Sequence, residues 1–415
     1  MVPEQRNTFN QNFTEHKYEQ LLSALNKGFE TAIDFRVAET PVFIDPLCNQ
    51  QMLDTCDYII DTITHSSFTA KTNAAIPAGK NVPNQTAHPH FLAFDFGICM
   101  SEQNKPVPQL IEMQGFASLF GYQAYLDDAM RSTYEIHEPY TAYYGGFNKT
   151  SYLQKLQSVI VGHHDPKQVV LLEIKPHTQK TRIDFYCTAA YTGIAIVCIT
   201  ELIKEGNTLF YKNNDGEKIE IKRIYNRIIF DELDQMPADI KEAGIILFEN
   251  LHVEWAGHPN WFYRISKYTM PLLKHPCIPA SYYVNELASI PEDLENYVLK
   301  PLFSFAGSGV IIDVTKTDIE SLPDPANWML QQKVNYAPII KTPTTPAKVE
   351  IRLLYLWEEG AARPFPAINI ARLSKGKMIG VRYNQNETWV GGSIAYAPSN
   401  SGITIGAGSS NTSHK

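Results

Sequence analysis

Lys300 is the residue of this sequence best placed to do chemistry. Residues 297–299 are aromatic and apolar and read as a short strand, with Lys300 at its end. Pro301 has no N–H to give to a ladder and is expected to stop the strand. Ser304, Ala306, Gly307, Ser308 and Gly309 follow, small residues whose backbone can come close to a ligand. Residues 310–314 then read as a return strand. A lysine at a strand end ahead of such a loop suits a polyphosphate. The loop N–H groups would form an anion nest and the ammonium would act as a point charge. This is not a Walker loop, because Gly-x-x-x-x-Gly-Lys-Ser/Thr is absent and the lysine precedes the glycines. On these residues alone, a plain β-hairpin with a Gly-Ser turn is the better reading.

Other residues could share a site with it. Glu350 and Arg352 are two apart in a strand expected at 349–357, so they face one side. They serve a site, or they pair with each other on an exposed face, a link of little energetic worth. Arg372 falls in a strand expected at 367–373. Arg382 and Asn384 lie in a polar stretch before Gly391 and Gly392. The arginines could instead be surface residues, and Asn384 a turn residue. Lys267 is expected in the middle of a helix at 261–273. Glu112 sits among apolar neighbours in a strand expected at 109–114, either on its wet face or in a site. Asn226 and Arg227 are further candidates for substrate contact, or structural residues. His88, His90 and the adjacent His163 and His164 suggest a metal. No carboxylate or cysteine completes a ligand set at helical spacing, so no zinc site is expected.

The elements that must position these residues can be taken in chain order. Residues 1–35 look helical, ending near Gly28, and 41–44 form a short strand ahead of a helix around 52–63. Residues 71–90 read as loop. Strands follow at 91–99 and 109–114, then a helix from Gly115 through Leu126. A strand at 168–174, a helix at 181–191 closed by Gly193 and a strand at 194–199 make a βαβ unit, hence a parallel sheet. Asn213-Asn214-Asp215-Gly216 marks a hairpin between 208–212 and 217–222. Further strands are expected at 224–230 and 328–334. The five tryptophans are expected in packing roles.

Composition narrows the class. The 415 residues are 44% hydrophobic and 19% charged, enough for two or three domains with cores of their own. The net charge of −8 and the lack of a basic block argue against nucleic acid as the main partner. The six cysteines show no Cys-x-x-Cys pair, so reduced, mostly buried thiols are expected. There is no apolar run behind the polar N-terminus and no stretch of membrane-spanning length, so neither a signal peptide nor membrane association is expected, and the protein is expected in the cytoplasm.

The succession of elements resembles the ATP-grasp superfamily, in its glutathione synthetase-like branch and circularly permuted relatives. The resemblance covers roughly residues 165–396. It rests on an ordered set: Lys267, Lys300, the loop 303–309, residues 331–334, Glu350 with Arg352, and Arg372 with Arg382 and Asn384. It implies an ATP- and Mg²⁺-dependent ligase that activates a carboxylate as an acyl phosphate for attack by an amine or thiol. Such a protein neutralises phosphate charge and aligns the reactants. By the resemblance, Lys267, Lys300, Ser304, Ala306, Gly307, Ser308 and Gly309 would hold ATP phosphates. Gln331, Gln332, Lys333 and Val334 would form the adenine hinge. Glu350 and Asn384 would ligate Mg²⁺, and Arg352, Arg372 and Arg382 would stabilise the transferring group or the substrate carboxylate. Gly380 departs from the pattern, standing where relatives carry an acid, which puts the second metal bridge in doubt.

The resulting expectation is an α/β (α+β) protein. An N-terminal mixed region, 1–160, would supply the substrate side. A small Rossmann-like βαβ domain at 161–250 would precede an ATP-grasp module at 251–397, with a disordered tail at 398–415. The substrate would be a small molecule or peptide bearing a carboxylate. The alternatives are a degenerate ATP-grasp protein that binds nucleotide without ligase chemistry, and a structural or interaction protein.

Overall fold

Phe91–Met100 is apolar at nearly every position, and all of it but Met100 is buried. A strand covered on both faces carries such a continuous run rather than an alternation. In the computed structural model, which describes residues 1–29, 31–303, 309–377, 379, 384 and 386–399, this strand lies inside a five-stranded antiparallel sheet. The strand order is Gly391–Ser393, Phe365–Ser374, Lys348–Leu356, Phe91–Met100, Pro106–Gln114. The sheet therefore joins strands from before residue 160 to strands from after residue 251, across both of the boundaries expected from the sequence.

The two-residue period sorts the faces of this sheet. Phe94, Phe96, Ile98, Ile351 and Leu353 pack with Cys48, Met52, Cys56 and Ile59 of the Pro46–Thr64 helix. That helix starts sharply: Pro46 takes its first position, and the Asp45 carboxylate accepts from the N–H groups of Leu47 and Cys48 at 3.0 and 3.1 Å. The opposite face carries Asp95, Gly97, Glu112, Glu350 and Arg352.

A second antiparallel sheet has the order Ser281–Tyr283, Trp328–Gln332, Tyr297–Pro301. Pro301 ends its strand as expected, on a sheet edge where the missing N–H breaks no ladder bond. The return strand expected at 310–314 reduces to one bridge, in which Leu299 and Ile311 exchange two hydrogen bonds of 2.9 Å.

The βαβ unit forms as expected. Val169–Glu173 and Ala195–Cys198 run parallel, joined by the Arg182–Thr192 helix, which Gly193 closes at φ +75°. Arg223–Asn226 and Glu254–Ala256 extend the sheet on its other side. The strand expected to reach Phe230 stops at Asn226. The Asn226 side-chain oxygen accepts from the Ile228 N–H at 3.1 Å, turning the chain, and Phe230 opens a short helix instead. The hairpin around residues 213–216 is present, with Gly216 at φ +80°.

Two helical expectations shift. The helix after Gly115 starts later, at Phe120–Thr133, where the buried Asp184 carboxylate accepts from Gly121 and Tyr122 N–H groups at 2.9 and 3.0 Å. The helix expected at 261–273 is broken in two, Asn260–Arg264 and a 3₁₀ turn Lys267–Leu272. The Ser266 hydroxyl accepts from Tyr268 N–H at the new start, and Pro271 cannot continue an α-helical ladder. Lys267 thus begins a turn rather than sitting in mid-helix. The architecture is α+β, and among the described residues no helix is long and apolar enough to cross a membrane.

Candidate functional site

Register builds the site. Asp95 stands opposite Glu112 on one side and Arg352 on the other. Two residues along, Gly97 stands opposite Glu350, and Glu350 opposite Arg372. These two adjacent rows put three carboxylates and two arginines on one face of the sheet.

Their contacts form one network. The buried Asp95 carboxylate takes both arms of Arg352, Nε at 2.5 Å and Nη2 at 2.6 Å, and also Arg372 Nη2 at 2.9 Å. Arg372 Nη2 also donates to Glu350 Oε1, and the Tyr336 hydroxyl donates to Glu350 Oε2 at 3.0 Å. Arg352 reaches Ser118 Oγ at 3.0 Å, and its Nη2 lies 3.9 Å from Glu112. The second sheet and the 3₁₀ turn add the lysines. Lys267 Nζ lies 3.7 Å from Glu112, and Lys300 Nζ donates to Gln331 Oε1 at 2.6 Å and to the Ile111 carbonyl at 3.3 Å.

The electrostatics follow from burial and neighbours. Burial opposes the Glu112 charge, but Lys267, Arg352, Lys300 and Arg372 outweigh it and hold the carboxyl at about 2. Burial raises the Glu350 carboxyl against the pull of Arg372, with Asp95 adding to the rise. Burial also lowers Lys300 to about 8, with Lys267 acting in the same direction and Glu112 opposing. For Arg372 burial is overcome by Glu350 and Asp95, which push it up.

The fold separates the expected site residues. Lys267, Lys300, Gln331, Glu350, Arg352 and Arg372 come together, and Glu112 joins them rather than facing open solvent. Gln332 and Lys333 are close by in sequence, but their N–H groups already donate to Ala280 and Asn296 carbonyls at 2.8 and 2.7 Å. Asn384 lies at a turn. Its side-chain oxygen accepts from Ser374 Oγ and from the Lys375 and Gly376 N–H groups at 3.1, 2.8 and 3.3 Å. Ser304, Ala306, Gly307, Ser308, Arg382 and Gly380 lie outside the described residues, while Gly309 adopts φ +73°.

Asn226 and Arg227 hold structure. Arg227 pairs with the buried Asp184 and donates to the Ser118 carbonyl at 3.3 Å. Asp95, Ser118 and Tyr336 are site residues that sequence reasoning missed. A lone acid inside the apolar run at 91–99 is the same signal that marked Glu112.

Gly97 makes room for Tyr336. A Cβ there would come within 2.9 Å of both Tyr336 Cε1 and Val334 Cγ1. Gly97→Ala is expected to push Tyr336 off Glu350 and to cost about 1–3 kcal/mol by overpacking, measured by denaturant unfolding. A loss below about 0.5 kcal/mol would mean that the segment moves aside freely.

The groups present can be tested against the expected ligands. Arg372 Nε and Gln331 Nε2 are buried and have no acceptor among the described residues. With two lysines beside them, they fit an anionic, acceptor-rich ligand such as a nucleotide polyphosphate. The expected magnesium ligands do not fit as they stand. Both Glu350 oxygens are engaged, by Arg372 and Tyr336, and the Asn384 oxygen is held by its turn.

No family model matches the sequence, and no curated protein matches it. Among solved structures, a glutathione synthetase-like effector from Globodera pallida in its apo form aligns over 93% of this chain and 98% of its own. The TM-score is 0.58 at 11% identity. The chain has that glutathione synthetase-like fold, in agreement with the resemblance drawn from the order of its lysines, arginines and strands. A protein described as a gamma-glutamylcysteine synthetase, from Methylobacillus flagellatus KT, aligns over 83% of this chain and 86% of its own. Its identity is also 11%, but its TM-score of 0.35 does not establish a shared fold.

Proposed function

We propose that the protein is an ATP-dependent ligase that joins the carboxylate of a small molecule or peptide to an amine or thiol. The observation that carries this reading is the convergence of Lys267, Lys300, Arg352 and Arg372 from two sheets and a turn onto one buried face. ATP would supply the phosphoryl group that activates the carboxylate. Lys300 and Lys267 would hold its phosphates, with Gln331 Nε2 as a further donor. Arg352 is fixed by Asp95 and would present its remaining N–H edge to a carboxylate or to developing negative charge. Glu112 then has two partners to release, Lys267 and Arg352, when an anion enters. The neighbouring fold, described as glutathione synthetase-like, supports the same reaction class.

One observation favours a second reading, a nucleotide-binding protein without ligase chemistry. The oxygens of Glu350 and Asn384 are already taken, and phosphoryl transfer leans on metal charge.

The test is calorimetric titration of ATP with and without Mg²⁺, on wild type and on Lys300→Ala, followed by assay of ADP release with mixed acids, amines and thiols. Mg²⁺-dependent binding lost in Lys300→Ala, with ADP release, is expected for a ligase. Binding indifferent to Mg²⁺ and without ADP release would select the second reading. No binding to wild type would overturn both.

A further inference from the structure

Away from this cluster, the fold completes a ligand set that the sequence leaves incomplete. His163 and His164 follow the Lys149–Val161 helix, just after Gly162 turns the chain at φ +64°. Glu254 opens the Glu254–Ala256 strand at one edge of the parallel sheet. His163 Nε2 lies 3.8 Å from Glu254 Oε1, and His164 Nε2 lies 3.0 Å from Oε2. The two imidazole rings are 4.1 Å apart, centre to centre. One donor atom from each of the three residues lies within 4.8 Å of the other two. His164 Nε2 is buried and, although close to the carboxylate, makes no well-directed hydrogen bond among the described residues.

The set is preorganised by one side chain. Arg223 is almost fully buried, and its Nη1 donates to Glu254 Oε2 at 2.8 Å. Its Nε and Nη2 donate to the Ile160 and Val159 carbonyls at 3.0 and 3.2 Å, at the end of the helix that leads into the histidines. The same guanidinium therefore fixes both halves. It occupies Oε2 and leaves Oε1 beside His163. Gly162 takes φ +64°, a conformation that L side chains rarely adopt, and so turns the chain from the helix into the histidines. Glu359 is a further exposed carboxylate, 3.4 Å from Arg223 Nη1.

We infer that His163, His164 and Glu254 form a site for a borderline transition-metal cation of the Zn²⁺ class. Two neutral imidazoles and a carboxylate match that class, whereas Mg²⁺ and Ca²⁺ prefer oxygen donors throughout. Bonds of about 2.0–2.2 Å require ligand atoms about 3.3 Å apart in a tetrahedral shell. His163 is exposed and can close the remaining gap by a small rotation. Water would complete the coordination. The ion would clip the loop after the helix to the edge strand and stabilise the folded chain by mass action. Its ligands come from the end of a helix and the edge of the parallel sheet, whereas Glu112, Lys267 and Lys300 come from the two antiparallel sheets and a 3₁₀ turn, so this site is separate from the proposed ligase cluster.

The experiment uses the full chain without a histidine tag, titrated with Zn²⁺ by calorimetry and with Co²⁺ by visible absorption. A one-to-one Zn²⁺ isotherm and the d–d bands of low-coordinate Co²⁺ are expected, unaffected by excess Mg²⁺. His163→Ala and His164→Ala should each weaken binding by at least about tenfold, and the Zn²⁺-dependent rise in melting temperature should disappear with them. His163 is exposed, so its replacement tests the site without threatening the fold. Absence of a stoichiometric isotherm in wild type, or wild-type affinity in His163→Ala, would overturn the assignment.

Discussion

Asp95→Asn is expected to cost about 3–5 kcal/mol of stability, because it leaves buried arginine charge without its partner. Asp95 is 1% exposed and, among the described residues, is the one carboxylate that both Arg352 and Arg372 contact at hydrogen-bond distance. Arg352 carries most of the effect. Its side chain is 11% exposed and bound through two nitrogens, whereas Arg372 is 38% exposed and retains Glu350. Asparagine keeps the shape but supplies no charge and turns an amide toward a guanidinium that can only donate. Denaturant unfolding of Asp95→Asn, Arg352→Met and the double variant measures this. The double variant should lose less than the sum of the singles, since each single strands the other's charge. Additive losses, or a loss under about 1 kcal/mol for Asp95→Asn, would mean that water reaches the pair.

Lys300 should make nucleotide binding fall with pH. Burial lowers it to about 8, below the ordinary 10.5 of a lysine. It faces Glu112, Glu350 and Asp95, which favour its charge, and Lys267, which opposes it. A phosphate needs the charged form. Affinity for ATP should therefore be level below about pH 8 and fall about tenfold per pH unit above it, with proton uptake on binding near the inflection. Lys300→Ala should bind at least about a hundredfold more weakly and lose that inflection.

The stability consequence has the opposite sense. The folded pKa lies below the unfolded one, so the charged lysine is disfavoured in the fold. That penalty, about 3 kcal/mol, is present in full below pH 8 and is relieved as pH rises toward 10.5. Calorimetry across this range in two buffers checks the binding arm. A wild-type affinity that is level through pH 9.5 would show that Lys300 does not contact the ligand.

Much of this was legible before the fold was known. Apolar runs marked the βαβ unit and the long central strands, and the Asn-Asn-Asp-Gly turn marked the hairpin. The family resemblance linked Lys267, Lys300, Glu350, Arg352 and Arg372 by their order along the chain, although the helix expected around Lys267 did not form as one. What failed was decided by single polar side chains in three dimensions. The Asn226 amide ended a strand that still looked apolar, and Ser266 with Pro271 broke a helix whose pattern seemed continuous. Asp95 was hidden because its meaning depends on Arg352, its cross-strand partner late in the chain. His163 and His164 lacked a third ligand for the same reason, since Glu254 arrives from a separate strand.

The five-stranded sheet has a consequence for how the chain is made. Its two early strands must wait for Lys348–Leu356 and the strands after it before Phe91–Met100 gains its second neighbour. During synthesis that leaves a long apolar edge exposed while some 250 further residues are added, about 12–50 s at 5–20 residues per second. The stretch between is not idle, since the parallel sheet can close from local segments in that interval. The candidate nucleotide face, by contrast, is assembled last, and no fragment ending before Arg372 can contain it.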